Sequence, residues 1–217
     1  MRIETNQQKY LNEVFGLHDP ELQEVRAELD KQELSFMSIS GHEARILQFF
    51  IRMSGVKKIV EVGTLFGYSA LAMAKALPAD GVLYTLEKNP ANFDIARNMF
   101  TKHKDGRKIR PLCGDGADLL ATIGKEGPFD LVFIDADKGG YAKYLDWAEE
   151  NVRAGGFIVG DNTFLWGGVW DEPTDRDAGP RQIAAMKEFN RRLADSERYN
   201  STLIPTKEGM TFAQKKF

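Results

Sequence analysis

The chain carries a single cysteine, Cys113, in 217 residues, so no internal disulfide can form. That sparse usage, in a residue expected to sit in a strand, places the protein in a reducing, cytoplasmic compartment. No run of about 18 apolar residues exists, so no membrane span is expected. The stretch Met1 to Gln8 is polar and lacks the apolar segment of a secretory leader. Strong charge of one sign is missing too: 29 Lys and Arg against 32 Asp and Glu leave a formal charge of -3, which does not favour a nucleic-acid partner. Internal repeats, low-complexity tracts and linkers are also lacking. With 42% hydrophobic residues, the chain is expected to build one domain, 1–217, with a full core. One local exception breaks the charge balance. From Arg97 to Arg110, Lys102, Lys104, Arg107 and Lys108 gather against Asp105 alone, either as a solvated face or as a phosphate contact.

What is present from Lys57 onward is an alternation of strand and helix patterns with short connections, the mark of a parallel α/β sheet. Strands are expected at Lys58–Val62, Val82–Glu87, 109–114, Phe129–Ile134 and 157–160, and helices at Tyr68–Ala76, Pro90–Lys102, 116–124 and 140–151. Turn residues mark breaks at 78–81, 125–128 and 153–156. A last helix at 179–193 leads to a strand at Tyr199–Ile204. The turn Lys207-Glu208-Gly209 is so short that Met210–Lys215 must return antiparallel. Ahead of this 56–217 core, residues 1–55 read as a helical extension. Ser40-Gly41-His42-Glu43 is a capping box that opens the apolar run Ile46, Leu47, Phe49, Phe50. The charged amphipathic segments 5–15 and 20–32 suit a cover for a site, a partner contact or a solvated flank.

Two acidic strand ends hold the most chemistry: Phe-Ile-Asp135-Ala-Asp137-Lys138 and Phe-Ile-Val-Gly-Asp161-Asn162. Ligands of open α/β sheets bind beyond the carboxyl ends of the strands. Folding is therefore expected to gather Asp135, Asp161 and Asn162 into an oxygen-rich cluster with Lys138 beside it, suited to Mg²⁺, Ca²⁺ or Mn²⁺. Without a ligand, acids in these places would cap the helices that follow.

The first strand and turn, Glu61-Val62-Gly63-Thr64-Leu65-Phe66-Gly67-Tyr68-Ser69, space their glycines as Gly-x-x-x-Gly. The Gly-x-Gly-x-x-Gly fingerprint of dinucleotide binders is missing, which argues against a nicotinamide-dependent dehydrogenase. Glu87, at the end of the second strand, sits where a carboxylate accepts both ribose hydroxyls, and Glu61 suits an ammonium. A ligand with ribose and ammonium but no phosphate is S-adenosylmethionine. Glycines that serve only helix–strand packing are the alternative.

Together these segments resemble the small cation-dependent O-methyltransferases of the catechol and caffeoyl-CoA type, in their bacterial branch. The resemblance runs from Met37-Ser38-Ile39-Ser40-Gly41-His42-Glu43 to the Glu208-Gly209 hairpin, and Leu165-Trp166-Gly167-Gly168 adds to it. It implies a Rossmann-like S-adenosylmethionine methyltransferase fold, a mostly parallel seven-stranded sheet with an antiparallel C-terminal hairpin strand. It implies Asp135, Asp161 and Asn162 as metal ligands, Mg²⁺ foremost, and Lys138 with Asp135 as the catalytic pair. Met37, Glu61, Gly63, Thr64, Ser69, Glu87, Gly116, Asp135 and Asp137 correspond to cofactor contacts, and Met37, Lys138 and Trp166 to substrate contacts. A homodimer is implied as well. Where the animal catechol enzyme has a glutamate near its last turn, Asn200-Ser201-Thr202 offers no carboxylate.

The expected reaction is methyl transfer to a hydroxyl of a catechol-like or caffeoyl-type aromatic diol, with Lys138 taking the proton if burial or the cation lowers its pKa. Phe164, Trp166 and Trp170 suit stacking on a planar ring, or else anchor their loop, and the polar segment 171–177 suits a lid. Two other readings stand: methylation of a hydroxylated tRNA base, as the resemblance also allows, and a non-catalytic cofactor-binding scaffold.

Overall fold

A computed structural model describes residues 5–16, 18–170 and 178–217. Seven strands, β1 (Lys58–Val62), β2 (Val82–Glu87), β3 (Ile109–Cys113), β4 (Phe129–Ile134), β5 (Val152–Asp161), β6 (Tyr199–Ile204) and β7 (Met210–Lys215), order as β3-β2-β1-β4-β5-β7-β6 in one sheet. The described chain divides into two compact units, Thr5–Leu119 and Leu120–Phe217.

The first unit opens with α1 (Asn6–Phe15) and α2 (Pro20–Lys31). α2 starts where Asp19 accepts from the Glu21 and Leu22 N–H groups and Pro20 presets the first turn. It buries Leu22, Val25 and Leu29, and Lys75 pins its acidic end, 2.9 Å from Asp19 and also paired with Glu21. α1 is capped by Thr5 but buries none of its residues. α3 (Gly41–Ser54) begins at the expected capping box: Ser40 Oγ accepts from Glu43 N, and Glu43 accepts from Ser40 N. It stops at Gly55, whose left-handed φ of 65° ends a helix without side-chain strain.

β1 (Lys58–Val62), β2 (Val82–Glu87) and β3 (Ile109–Cys113) pair in parallel. Between them run α4 (Tyr68–Ala76) and α5 (Pro90–Lys102). α4 is apolar nearly all round, as a helix enclosed in a core must be. Lys108, expected in a solvated basic face, is instead 8% exposed. Its Nζ donates to the carbonyls of Ala74 and Leu77 and lies 2.8 Å from Asp105. The Ala74 carbonyl needs this donor because its helical partner would be the N–H of residue 78, which is proline. Arg97 pairs with Asp94 and Lys102 with Glu24, so much of the basic cluster is spent inside the unit.

α6 (Gly116–Ile123) leads to the second unit, where β4 (Phe129–Ile134), α7 (Tyr141–Asn151) and β5 (Val152–Asp161) form a parallel unit. α8 (Pro180–Leu193) follows, then β6 (Tyr199–Ile204) and β7 (Met210–Lys215), antiparallel to each other, with β7 also antiparallel to β5. The turn expected at 153–156 lies inside β5, which starts at Val152 rather than at 157. Val152 pairs with Phe129 and Phe157 with Leu131, so residues 153–156 bulge out opposite Asp130. Gly155 takes φ 72°, and Gly156 passes so close to β4 that a Cβ would stand 2.9 Å from the Asp130 carbonyl oxygen. The two glycines serve a bulge, which a sequence reads as a strand break. The segment 171–177, expected to act as a lid, lies outside the described residues. No helix among the described residues is long and apolar enough to cross a membrane.

Candidate functional site

In the first unit, the end of β1 delivers Glu61, which is fully buried. Ser69 Oγ, in the first turn of α4, donates to one carboxylate oxygen at 2.5 Å, and Thr85 Oγ1 of β2 donates to the other at 2.5 Å. Thr64 Oγ1 lies 2.5 Å from Thr85 Oγ1. Thr85 spends its one proton on Glu61, so Thr64 donates to Thr85 and the three groups form a directed relay. Sequence reasoning picked out Glu61, Thr64 and Ser69 but missed Thr85. The available signal was the one threonine inside the largely buried strand Val-Leu-Tyr-Thr-Leu-Glu.

Glu87 closes β2, with one oxygen accepting from Leu65 N at 2.7 Å and the other from Asn89 N at 2.8 Å. The β1–α4 turn that supplies Leu65 passes through positive φ at Gly63 (102°), Leu65 (51°) and Gly67 (87°). Gly67 also serves packing, since a Cβ there would stand 2.4 Å from the Phe100 ring. Gly116 begins α6, and Asp115 before it accepts from Ala117 N and pairs with Lys88. Met37 ends the short 3-10 turn Ser35–Met37 and is 52% exposed.

In the second unit, β4 and β5 end side by side. Asp135 follows β4 and Asp161 ends β5. Asn162 comes next, at φ 55°. Lys138 opens a 3-10 turn, with Nζ 3.4 Å from Asp135 Oδ1 and 2.9 Å from the phenol oxygen of Tyr141, to which it donates. That phenol lies 2.7 Å from the Asp161 carbonyl and 3.1 Å from the Ile134 carbonyl, so it bridges the two strand ends. Burial, then the negative charges of Asp135, Asp161 and Asp137, push Tyr141 well above the ordinary tyrosine pKa, so it remains a neutral phenol. Asn162 Nδ2 donates to Asp161 Oδ2 at 2.9 Å. Tyr144 donates to Asp137 Oδ1 at 2.6 Å, and Gly140 leaves room for its ring, which a Cβ would meet at 2.6 Å.

The loop after Asn162 is fastened from behind. Thr163 N and Phe164 N donate to the carbonyls of Gly209 and Glu208, and Asn190 Nδ2 donates to the Thr163 carbonyl. Phe164 lies against Gly209 and edge-on to Trp170, 5.0 Å away, so these two aromatics anchor the loop. Trp166 is held at φ 54°, partly buried. Tyr141 and Asn190 are the residues here that sequence reasoning missed; a tyrosine or asparagine on a helix announces no partner in the sequence.

Asp135, Asp161 and Asn162 are all hard oxygen donors, and their chemistry fits Mg²⁺, Ca²⁺ or Mn²⁺. Among the described residues no group of three His, Cys, Asp or Glu side chains is arranged to hold a metal ion; the set here has two carboxylates and one amide.

The family model described as O-methyltransferase matches residues 13–216. Tricin synthase 1 of Oryza sativa subsp. japonica is 35% identical over 91% of this chain and 82% of its own. A catechol O-methyltransferase of Niastella koreensis is 32% identical over 90% of this chain and 87% of its own. Among solved structures, the O-methyltransferase TomG of Streptomyces achromogenes, in complex with SAM, superposes with a TM-score of 0.87 at 27% identity, covering 99% of this chain and 97% of that one. The chain belongs to the O-methyltransferase family.

Proposed function

We propose that the protein transfers a methyl group from S-adenosylmethionine to a hydroxyl of a vicinal aromatic diol, catechol-like or caffeoyl-type, with a divalent cation bound. The observation that carries this reading is the network at the ends of β4 and β5: Lys138 reaches Asp135 and the Tyr141 phenol, that phenol reaches the backbone carbonyl of Asp161, and Asn162 reaches the Asp161 carboxylate. The similarity to a plant tricin synthase and a bacterial catechol O-methyltransferase supports the acceptor class, and the SAM complex of the Streptomyces protein supports the methyl donor.

Asp135, Asp161 and Asn162 would hold the cation. When bound, a divalent ion lowers the pKa of an acceptor hydroxyl. Glu61 would accept hydrogen bonds from the ammonium of the methyl donor, and Glu87 from both ribose hydroxyls. By resemblance, Gly63, Thr64, Ser69, Gly116, Asp137 and Met37 would be further contacts of the methyl donor, and Trp166 a contact of the acceptor. Lys138 Nζ would take the hydroxyl proton as the oxygen–methyl bond forms and the sulfur–methyl bond breaks, leaving S-adenosylhomocysteine. Holding the reactants in line supplies roughly 7–11 kcal/mol of barrier reduction.

The tRNA reading is the weaker one, because Arg97, Lys102 and Lys108 already have carboxylate or carbonyl partners. The deciding experiment is transfer from methyl-labelled S-adenosylmethionine to caffeate, with Mg²⁺ and then with chelator. Product that disappears on chelation is the expected result. Product that survives chelation removes the cation from the reading, and failure to bind the methyl donor ends it.

A further inference from the structure

We propose that Tyr141 is a positioning residue for Lys138, its phenol oxygen being the fixed acceptor that holds the amine at the mouth of β4 and β5. This rests on the reading of Lys138 as the proton acceptor given above.

Lysine ends in a compact charge on a four-carbon stem, and nothing in its covalent structure fixes where Nζ points. Lys138 is 8% exposed, so water does little to hold it. Two groups are near: Asp135 Oδ1 at 3.4 Å and the Tyr141 phenol oxygen at 2.9 Å. The phenol is the closer. A phenol has one proton and two lone pairs. Its proton is directed at the Asp161 carbonyl, 2.7 Å away, with the Ile134 carbonyl further off at 3.1 Å. That leaves a lone pair for Lys138. Ile134 and Asp161 are the last residues of their strands, so the oxygen that receives the lysine is tied to both.

The ring itself cannot drift. Tyr141 is fully buried and meets Phe189 edge-on at 5.1 Å. It begins α7, three residues after Lys138, so the intervening 3-10 turn sets how far apart the two can stand. Asp135 attracts the amine, and Tyr141 decides where it stops.

Tyr141→Phe removes the oxygen and keeps the ring. The test combines it with Lys138→Ala in a cycle, reading kcat and KM for S-adenosylmethionine, and adds a readout free of turnover: acetylation of Lys138 in the protein without ligands, followed by mass spectrometry against the buried Lys108. Tyr141→Phe is expected to lower kcat roughly tenfold or more at unchanged KM, since a displaced catalytic group costs up to about a hundredfold. Acetylation of Lys138 should rise relative to Lys108. In the Lys138→Ala background the second change should cost nothing further, because the two act as one unit.

Wild-type kcat and wild-type acetylation in Tyr141→Phe overturn the proposal. So does an equal loss of kcat in both backgrounds, which would place the effect in the Asp161 backbone. Full turnover by Lys138→Ala overturns it together with the lysine's role. If wild type itself transfers no methyl, the proposed function fails, and the acetylation arm still decides whether Tyr141 holds the amine. Should Tyr141→Phe fail to fold, 3-fluorotyrosine at position 141 weakens the acceptor while keeping both bonds to the strands. It should raise acetylation in the same direction, and no change would again overturn the proposal.

Discussion

Lys108→Met is the sharpest test of how this chain uses its basic residues. Methionine keeps most of the apolar stem and removes the three donors. Two carbonyls, Ala74 and Leu77, then lose their partner at 2.9 and 2.8 Å inside the first unit. Ala74 cannot recover one locally, because residue 78 is proline. Asp105 is 27% exposed and can return to water. A hydrogen bond to a charged donor is worth about 1.5–3 kcal/mol, and the losses overlap, so about 3 kcal/mol is the expected cost. For a chain of this size each kcal/mol moves Tm by about 2–4 °C, which gives a fall of about 6–12 °C. Scanning calorimetry of the two proteins reads it directly. A fall below about 2 °C would refute the capping argument and return Lys108 to the solvated basic face.

Three further outcomes follow from the same geometry. Asp161→Ala should abolish cation-dependent turnover while calorimetric affinity for S-adenosylmethionine stays near wild type; full activity of the variant in chelator would remove Asp161 from the cation site. Glu61→Gln should weaken that affinity about 10–100-fold, the worth of one charge-assisted hydrogen bond, and an unchanged Kd would sink the ammonium assignment. Burial raises the pKa of the Glu149 carboxyl, but hydrogen bonds from Arg198, Tyr199 and Arg192 outweigh this and hold it below its usual 4.5. Its stabilisation is therefore complete above the unfolded value and lost as pH falls through the lower folded one. Glu149→Gln should lower the urea midpoint near pH 7 more than near pH 3; equal losses at both would contradict the sign.

Where a signal is local, the sequence determined it alone. Ser40 and Glu43 cap each other across one turn, and the strands Lys58–Val62, Val82–Glu87 and Phe129–Ile134 stand where their apolar runs place them. The acids at the ends of β4 and β5 were legible for the same reason: a strand's end and the residues after it are adjacent in the chain. Tertiary structure decided what depends on distant partners. The glycines at 155 and 156 form a bulge because Asp130 lies opposite them, 25 positions upstream of Gly155 (155 − 130). Lys108 is buried because two carbonyls at the end of α4, those of Ala74 and the following Leu77, need a donor, and Thr85 turns to Glu61 because β1 and β2 pair in one register. Tyr141 reaches Asp161 only because β4 and β5 run side by side. Capping, turn chemistry and periodicity act over a few residues and can be read from order alone. A buried polar group must find whichever partner the fold brings near, and order alone does not name it.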